Sequence, residues 1–192
     1  MKSNKERQAD PTQSIRFVPN VPNVLTLVRF CLIPVFVLLY GTYPLWACGL
    51  FVLAEITDIL DGYIARKNNL VTGFGKLMDP LADKLMVLTV CLCLYFSGRL
   101  PVIWPYFLFG KELTLILGGV FLLKGKNTVV HADIIGKVAA VMVFLVFIAA
   151  FFREQIPPVL FDVLQYAALA VSACAVCWYA YVHLIKPRKF KQ

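Results

Sequence analysis

Charge is scarce in this sequence. Asp, Glu, Lys and Arg make up 16% of the 192 residues, against 60% hydrophobic. The mean hydropathy of +0.75 is well above that of a chain with a solvated surface. Beyond the N-terminal segment no polar stretch is left over for a soluble domain. A secretory signal is missing too. Residues 1–22, MKSNKERQADPTQSIRFVPNVP, lack the short apolar core and small-residue cleavage site that one needs, so the N-terminus is expected in the cytoplasm. No internal repeat or inverted symmetry is visible, which weighs against a secondary transporter.

The six cysteines, Cys31, Cys48, Cys91, Cys93, Cys174 and Cys177, all fall in apolar runs. There a thiol behaves as a small hydrophobe, so neither a disulfide framework nor a zinc site is indicated. Cys174 and Cys177 have metal-like spacing but no second ligand pair nearby. The net charge of +8 does not point to nucleic acid, because the basic residues flank apolar segments instead of forming a polar face. Anionic lipid headgroups are the better counterpart.

What is present in quantity is apolar sequence in lengths that can cross a bilayer, which takes about 20 residues of helix. The expected fold is all-α, a polytopic bundle of six transmembrane helices near residues 23–41, 44–66, 76–97, 101–123, 133–152 and 158–185. GTYP at 41–44, the polar loop from Arg66, Ser97-Gly98-Arg99 before Pro101, the polar run from Lys124, and Pro157-Pro158 punctuate them. The organisation read from this is a cytoplasmic segment at 1–21, a six-helix catalytic domain at 22–186 and a basic tail at 187–192. Ile15, Phe17 and Val18 among basic residues would let the first segment lie on the membrane surface.

Orientation follows from the basic residues near the helix ends. With a cytoplasmic N-terminus that side holds Lys2, Lys5, Arg7, Arg16, Arg66, Lys67, Lys76, Lys124, Lys126, Lys186, Arg188, Lys189 and Lys191, while the opposite side holds Arg99 and Arg153. Both termini are therefore expected in the cytoplasm.

Four aspartates stand in or beside these helices: Asp58 and Asp61 near the end of the second, Asp79 and Asp83 near the start of the third. Ionisable groups there are costly and usually functional. The topology brings all four to one membrane face. Spacings of three and four place each pair on one side of its helix. Carboxylates gathered in a partly dry pocket repel one another, and divalent cations remove that cost. Oxygen-only ligands suit Mg²⁺ or Mn²⁺. The plainer alternative is helix capping, or pairing with Arg66, Lys76 and Lys84 at the interface.

The stretch from Asp58 to Asp83, DILDGYIARKNNLVTGFGKLMDPLAD, resembles the signature of the CDP-alcohol phosphatidyltransferase family, DxxDGxxAR, eight residues, then GxxxDxxxD. Asp58, Asp61, Gly62, Ala65, Arg66, Gly75, Asp79 and Asp83 fill its fixed positions. PNVLTLVRF at 22–30 is similar to the opening of the family's bacterial phosphatidylglycerophosphate synthases. The resemblance implies a six-helix membrane enzyme that moves a phosphatidyl group from CDP-diacylglycerol to an alcohol and releases CMP. It also implies two divalent cations, Mg²⁺ or Mn²⁺, held by Asp58, Asp61, Asp79 and Asp83, with Asp83 as general base. Gly62 and Ala65 would admit the nucleotide, Arg66 would pair with a phosphate, and Gly75 would let the connecting loop turn. A homodimer in the bacterial cytoplasmic membrane is the implied assembly.

For the acceptor, the cations outside the signature are Arg29, Lys111 and Lys137. A phosphorylated alcohol would need such groups, although Lys137 can snorkel to the interface and Lys111 can pair with Glu112. The synthases have Arg-Glu in the fourth helix and Gly-Lys followed by Lys-Thr in the fifth. Here Lys111-Glu112 and Gly136-Lys137 correspond, while Ala139 and Ala140 depart from the pattern. Glycerol 3-phosphate is the expected acceptor, with inositol phosphate, serine and phosphatidylglycerol as alternatives. His131 and His183 are assigned to interfacial packing. A transporter and an inactive scaffold are the competing classes; the scaffold would be expected to have lost an aspartate.

Overall fold

A proline opens the second and sixth helices, where a missing N–H costs nothing because the first turn has no partner to offer it. The computed structural model describes residues 21–67, 73–124 and 134–181, and all its regular structure there is helical. In order the elements are α1 (Val21–Thr42), α2 (Pro44–Lys67), α3 (Gly73–Phe96), α4 (Ile103–Lys124), α5 (Ile134–Phe151) and α6 (Pro158–Ala180). The expected segments 1–21 and 187–192, as well as His131 and His183, lie essentially outside the described residues.

The chain divides into two units, Met1–Val87 and Leu88–Gln192, with the boundary inside α3. In the first, α1 packs against α2 as a hairpin. Tyr43 is the single residue between them: its N–H donates to the Leu39 carbonyl at 2.7 Å and its carbonyl accepts from Ala47 at 3.1 Å. Phe36, Ala47, Cys48, Phe51 and Ala54 are buried, as are Ala82 and Met86 on α3. Phe36 stacks with Tyr40 at 5.9 Å between ring centroids.

In the second unit α6 packs against both α5 and α4. Trp104 is fully buried and meets Phe147 edge-on at 5.9 Å. Its indole N–H donates to Gln165 Oε1 at 3.3 Å, and Gln165 in turn donates to Asp162 Oδ1 at 2.8 Å. The polar end of a large buried ring is thus satisfied by a short chain instead of being orphaned. Two residues past the end of α3 stands Gly98, whose φ of 72° is the left-handed conformation favoured where a helix terminates. Arg99 and Leu100 donate to the Leu94 carbonyl there, at 2.9 and 3.2 Å.

Among the described residues three stretches are long and apolar enough to cross a membrane: Val24–Thr42, Ile134–Phe151 and Pro158–Tyr179. α2 and α3 differ from these in carrying Glu55, Asp58 and Asp61, and Asp79, Asp83 and Lys84. Outer positions of α1 and α2 are nonetheless apolar: Leu38 is 76% and Trp46 73% exposed. α3 starts three residues before the expected position, so Gly75 lies in its first turn and not in the preceding loop.

Candidate functional site

α1 contributes two polar side chains to an otherwise apolar helix. Thr26 and Arg29 are one turn apart, so they share a face, and they are 0% and 3% exposed. Nothing so polar stays buried without partners. Arg29 Nη1 forms an ion pair with Asp58 Oδ1 at 2.6 Å. The Thr26 hydroxyl donates a hydrogen bond to Asp79 Oδ1. One face of α1 therefore holds a carboxylate of α2 and a carboxylate of α3.

Asp58 and Asp79 lie within electrostatic reach of each other. Asp83 stands one turn beyond Asp79 on α3. Glu55 stands one turn before Asp58 on α2, with Asp83, Asp58 and Arg29 as charged neighbours. Thr57, between them in sequence, turns back to the Ala54 carbonyl at 2.8 Å and takes no part. Asp61, Gly62, Ala65 and Arg66 continue α2 and Gly75 opens α3, but the Asp61, Ala65 and Arg66 side chains lie outside the described ones.

Among the described residues no three His, Cys, Asp or Glu side chains form a group able to hold a metal ion. The donor set still suits one. Asp58 and Asp79 offer only hard oxygen ligands. Each uses Oδ1 in its contact with α1, and a carboxylate has about four lone-pair sites, so acceptor capacity remains.

The remaining expected site residues belong to the second unit. Lys111 pairs with Glu112 at 3.4 Å, the two side chains being 26% and 28% exposed. Lys137 is exposed near the start of α5. Arg29, expected at the acceptor, forms its ion pair with the signature aspartate Asp58. Of the cysteines, Cys48 and Cys91 are buried while Cys31, Cys174 and Cys177 are exposed.

Two participants were not read from the sequence. Thr26 had a faint signal: it precedes Arg29 by one turn within PNVLTLVRF. Glu55 had a plainer one, since it extends the three-residue spacing of Asp58 and Asp61 backwards along α2.

An all-helical chain with long apolar helices, whose acidic side chains meet a buried cation, defines a class of membrane-type helical proteins with a built polar site. Within that class the chain belongs to the CDP-alcohol phosphatidyltransferase family, whose model matches residues 19–179. It is 31% identical over 172 residues to the CDP-diacylglycerol–glycerol-3-phosphate 3-phosphatidyltransferase of Pectobacterium atrosepticum, covering 86% of this chain and 93% of that one. The protein of the same name from Bacillus subtilis is 36% identical over 135 residues, 62% of this chain and 69% of the relative. That from Rickettsia prowazekii is 54% identical over 77 residues, 38% of this chain; the match spans 42% of the relative's length.

Proposed function

We propose that this chain is a membrane enzyme that transfers the phosphatidyl group of CDP-diacylglycerol to glycerol 3-phosphate with release of CMP. The observation that carries the reading is the pair of α1 contacts that fix Asp58 and Asp79, two aspartates of the family signature, beside one another. The names of the relatives support the donor and the acceptor.

Asp58, Asp61, Asp79 and Asp83 would hold two divalent cations, Mg²⁺ or Mn²⁺, which supply charge neutralisation at the diphosphate when bound. Asp83 would accept the proton of the attacking hydroxyl, where position matters more than basicity because proton removal accompanies attack. Arg66 would pair with a phosphate oxygen through its planar fork. Gly62, Ala65 and Gly75 would keep the helix surfaces small where the nucleotide approaches. Lys111 and Lys137 would attract the acceptor's phosphate. The acyl chains would remain among lipid.

The same proposal places six helices across the bilayer, with both termini and the aspartates on the cytoplasmic side and the enzyme as a homodimer. The fifth-helix departures at Ala139 and Ala140 favour keeping a second acceptor class in the test. The experiment is CMP release by purified protein from CDP-diacylglycerol with Mg²⁺ or Mn²⁺. It compares glycerol 3-phosphate with inositol phosphate, serine and phosphatidylglycerol. Release that depends on glycerol 3-phosphate is the expected result. Release with another alcohol alone would change the acceptor, and none with any alcohol would remove the transferase reading.

A further inference from the structure

Thr114 donates to the Gly110 carbonyl and Thr57 to the Ala54 carbonyl, each at 2.8 Å, the local bonds a hydroxyl on a helix ordinarily makes. Thr26 differs from both. Its hydroxyl donates to Oδ1 of Asp79, 53 positions away on α3, and the residue is fully buried. In such a place a hydrogen bond is electrostatically stronger than in water, so it can fix how the carboxylate is presented.

The bond makes the two oxygens of Asp79 unequal. Oδ1 shares its lone pairs with Thr26, and Oδ2 takes no part in that contact. Asp58 is treated alike, since Arg29 meets its Oδ1 at 2.6 Å. Each carboxylate keeps the capacity to accept a cation, with its second oxygen as the better donor. Divalent cations differ in how many oxygens they need. Ca²⁺ takes about 6–8 and accepts both oxygens of one carboxylate, whereas Mg²⁺ is smaller, demands a near-octahedral set and keeps several waters. Mn²⁺ shares the octahedral oxygen preference. A carboxylate that offers one oxygen suits the second kind of ion. We propose that Thr26 is a positioning residue that selects the cation: by engaging Oδ1 of Asp79 it makes that aspartate a one-oxygen ligand, which favours Mg²⁺ and Mn²⁺ over Ca²⁺. This inference rests on the reading of Asp79 as a metal ligand.

The test is competition between cations on the purified full chain in detergent. Mn²⁺ uptake is followed by electron paramagnetic resonance, and Ca²⁺ is added until half of the bound Mn²⁺ is released. Thr26→Val keeps the branched shape and removes the hydroxyl. It is expected to lower the Ca²⁺:Mn²⁺ ratio at half release about tenfold, the scale on which partners of metal-ligating groups act. Thr26→Ser keeps the hydroxyl and is expected to stay within about twofold of the wild type on that scale. Thr26→Cys, whose thiol is a weak donor, is expected to fall between them. A wild-type ratio from Thr26→Val, even with weaker uptake of both ions, overturns the selection, because Thr26 would then only steady Asp79. A shift in Thr26→Ser as large as in Thr26→Val overturns it too, since the hydroxyl would not be the cause. Should Thr26→Val not fold, Thr26→Cys decides, and a wild-type ratio there overturns the proposal. These results leave the metal reading standing, whereas a wild type that takes up no Mn²⁺ removes both.

Discussion

Replacing Arg29 with methionine keeps the length of the side chain and deletes its charge, so the cost falls on Asp58. The pair is close, at 2.6 Å, but asymmetric: Arg29 is 3% exposed and the Asp58 side chain 36%. Two unit charges about 4 Å apart attract by about 4 kcal/mol at an effective dielectric of 20. Removing one partner of a buried pair costs about 3–5 kcal/mol, because the other charge is left uncompensated. The solvent that reaches Asp58 offsets part of this, which brings the expected loss to about 2–3 kcal/mol by the same reasoning. A divalent cation would neutralise the stranded carboxylate, so saturating Mg²⁺ is expected to cut the deficit to under about 1 kcal/mol. The assay is denaturant unfolding in detergent micelles followed by tryptophan fluorescence, with chelator and with Mg²⁺. Adding Asp58→Asn to Arg29→Met should restore most of the stability in chelator. A deficit equal in both conditions, or none in chelator, would refute the reasoning.

Three other outcomes are expected. Asp83→Asn should nearly abolish CMP release while the protein stays folded and inserted; wild-type turnover would exclude Asp83 as the base. Lys137→Ala should raise the apparent KM for glycerol 3-phosphate about tenfold, the scale of one charge-assisted hydrogen bond, and leave that for CDP-diacylglycerol unchanged. An unchanged KM for both removes Lys137 from the acceptor site. Gly98→Ala should destabilise the chain by about 1–2 kcal/mol through backbone conformation alone, since an added Cβ meets nothing within 4 Å. A neutral result in thermal unfolding would show that the turn adopts another φ.

The helices were legible because their ends are chemically marked: Tyr43-Pro44, Gly98 and Pro157-Pro158 break the chain where the structure breaks it. The start of α3 was less so, since Gly73 and Gly75 read as loop residues yet continue into a helix. The signature named the aspartates but not their partners. Thr26 meets Asp79 across 53 positions, and a helix that is apolar on every side gives no amphipathic pattern to show which face turns inward. Arg29 was visible as an anomaly, a cation in an apolar run, without any indication of which anion it would find. Glu55 was passed over because the signature does not include its position.

Tyr43 as the sole joint between α1 and α2 bears on how the site tolerates change. Arg29 lies 14 positions before it and Asp58 15 after it, which at 1.5 Å per residue puts both about 21–22 Å from the bend. The hairpin thus acts as a caliper whose two tips close on the ion pair. Surface connections generally accept extra residues with little penalty, but here one added residue would turn α2 by about 100° relative to α1 and carry Asp58 off the face that Arg29 occupies. A short corner, about 21–22 Å along the helices from both Arg29 and Asp58, is therefore a place where the chain is little free to change length.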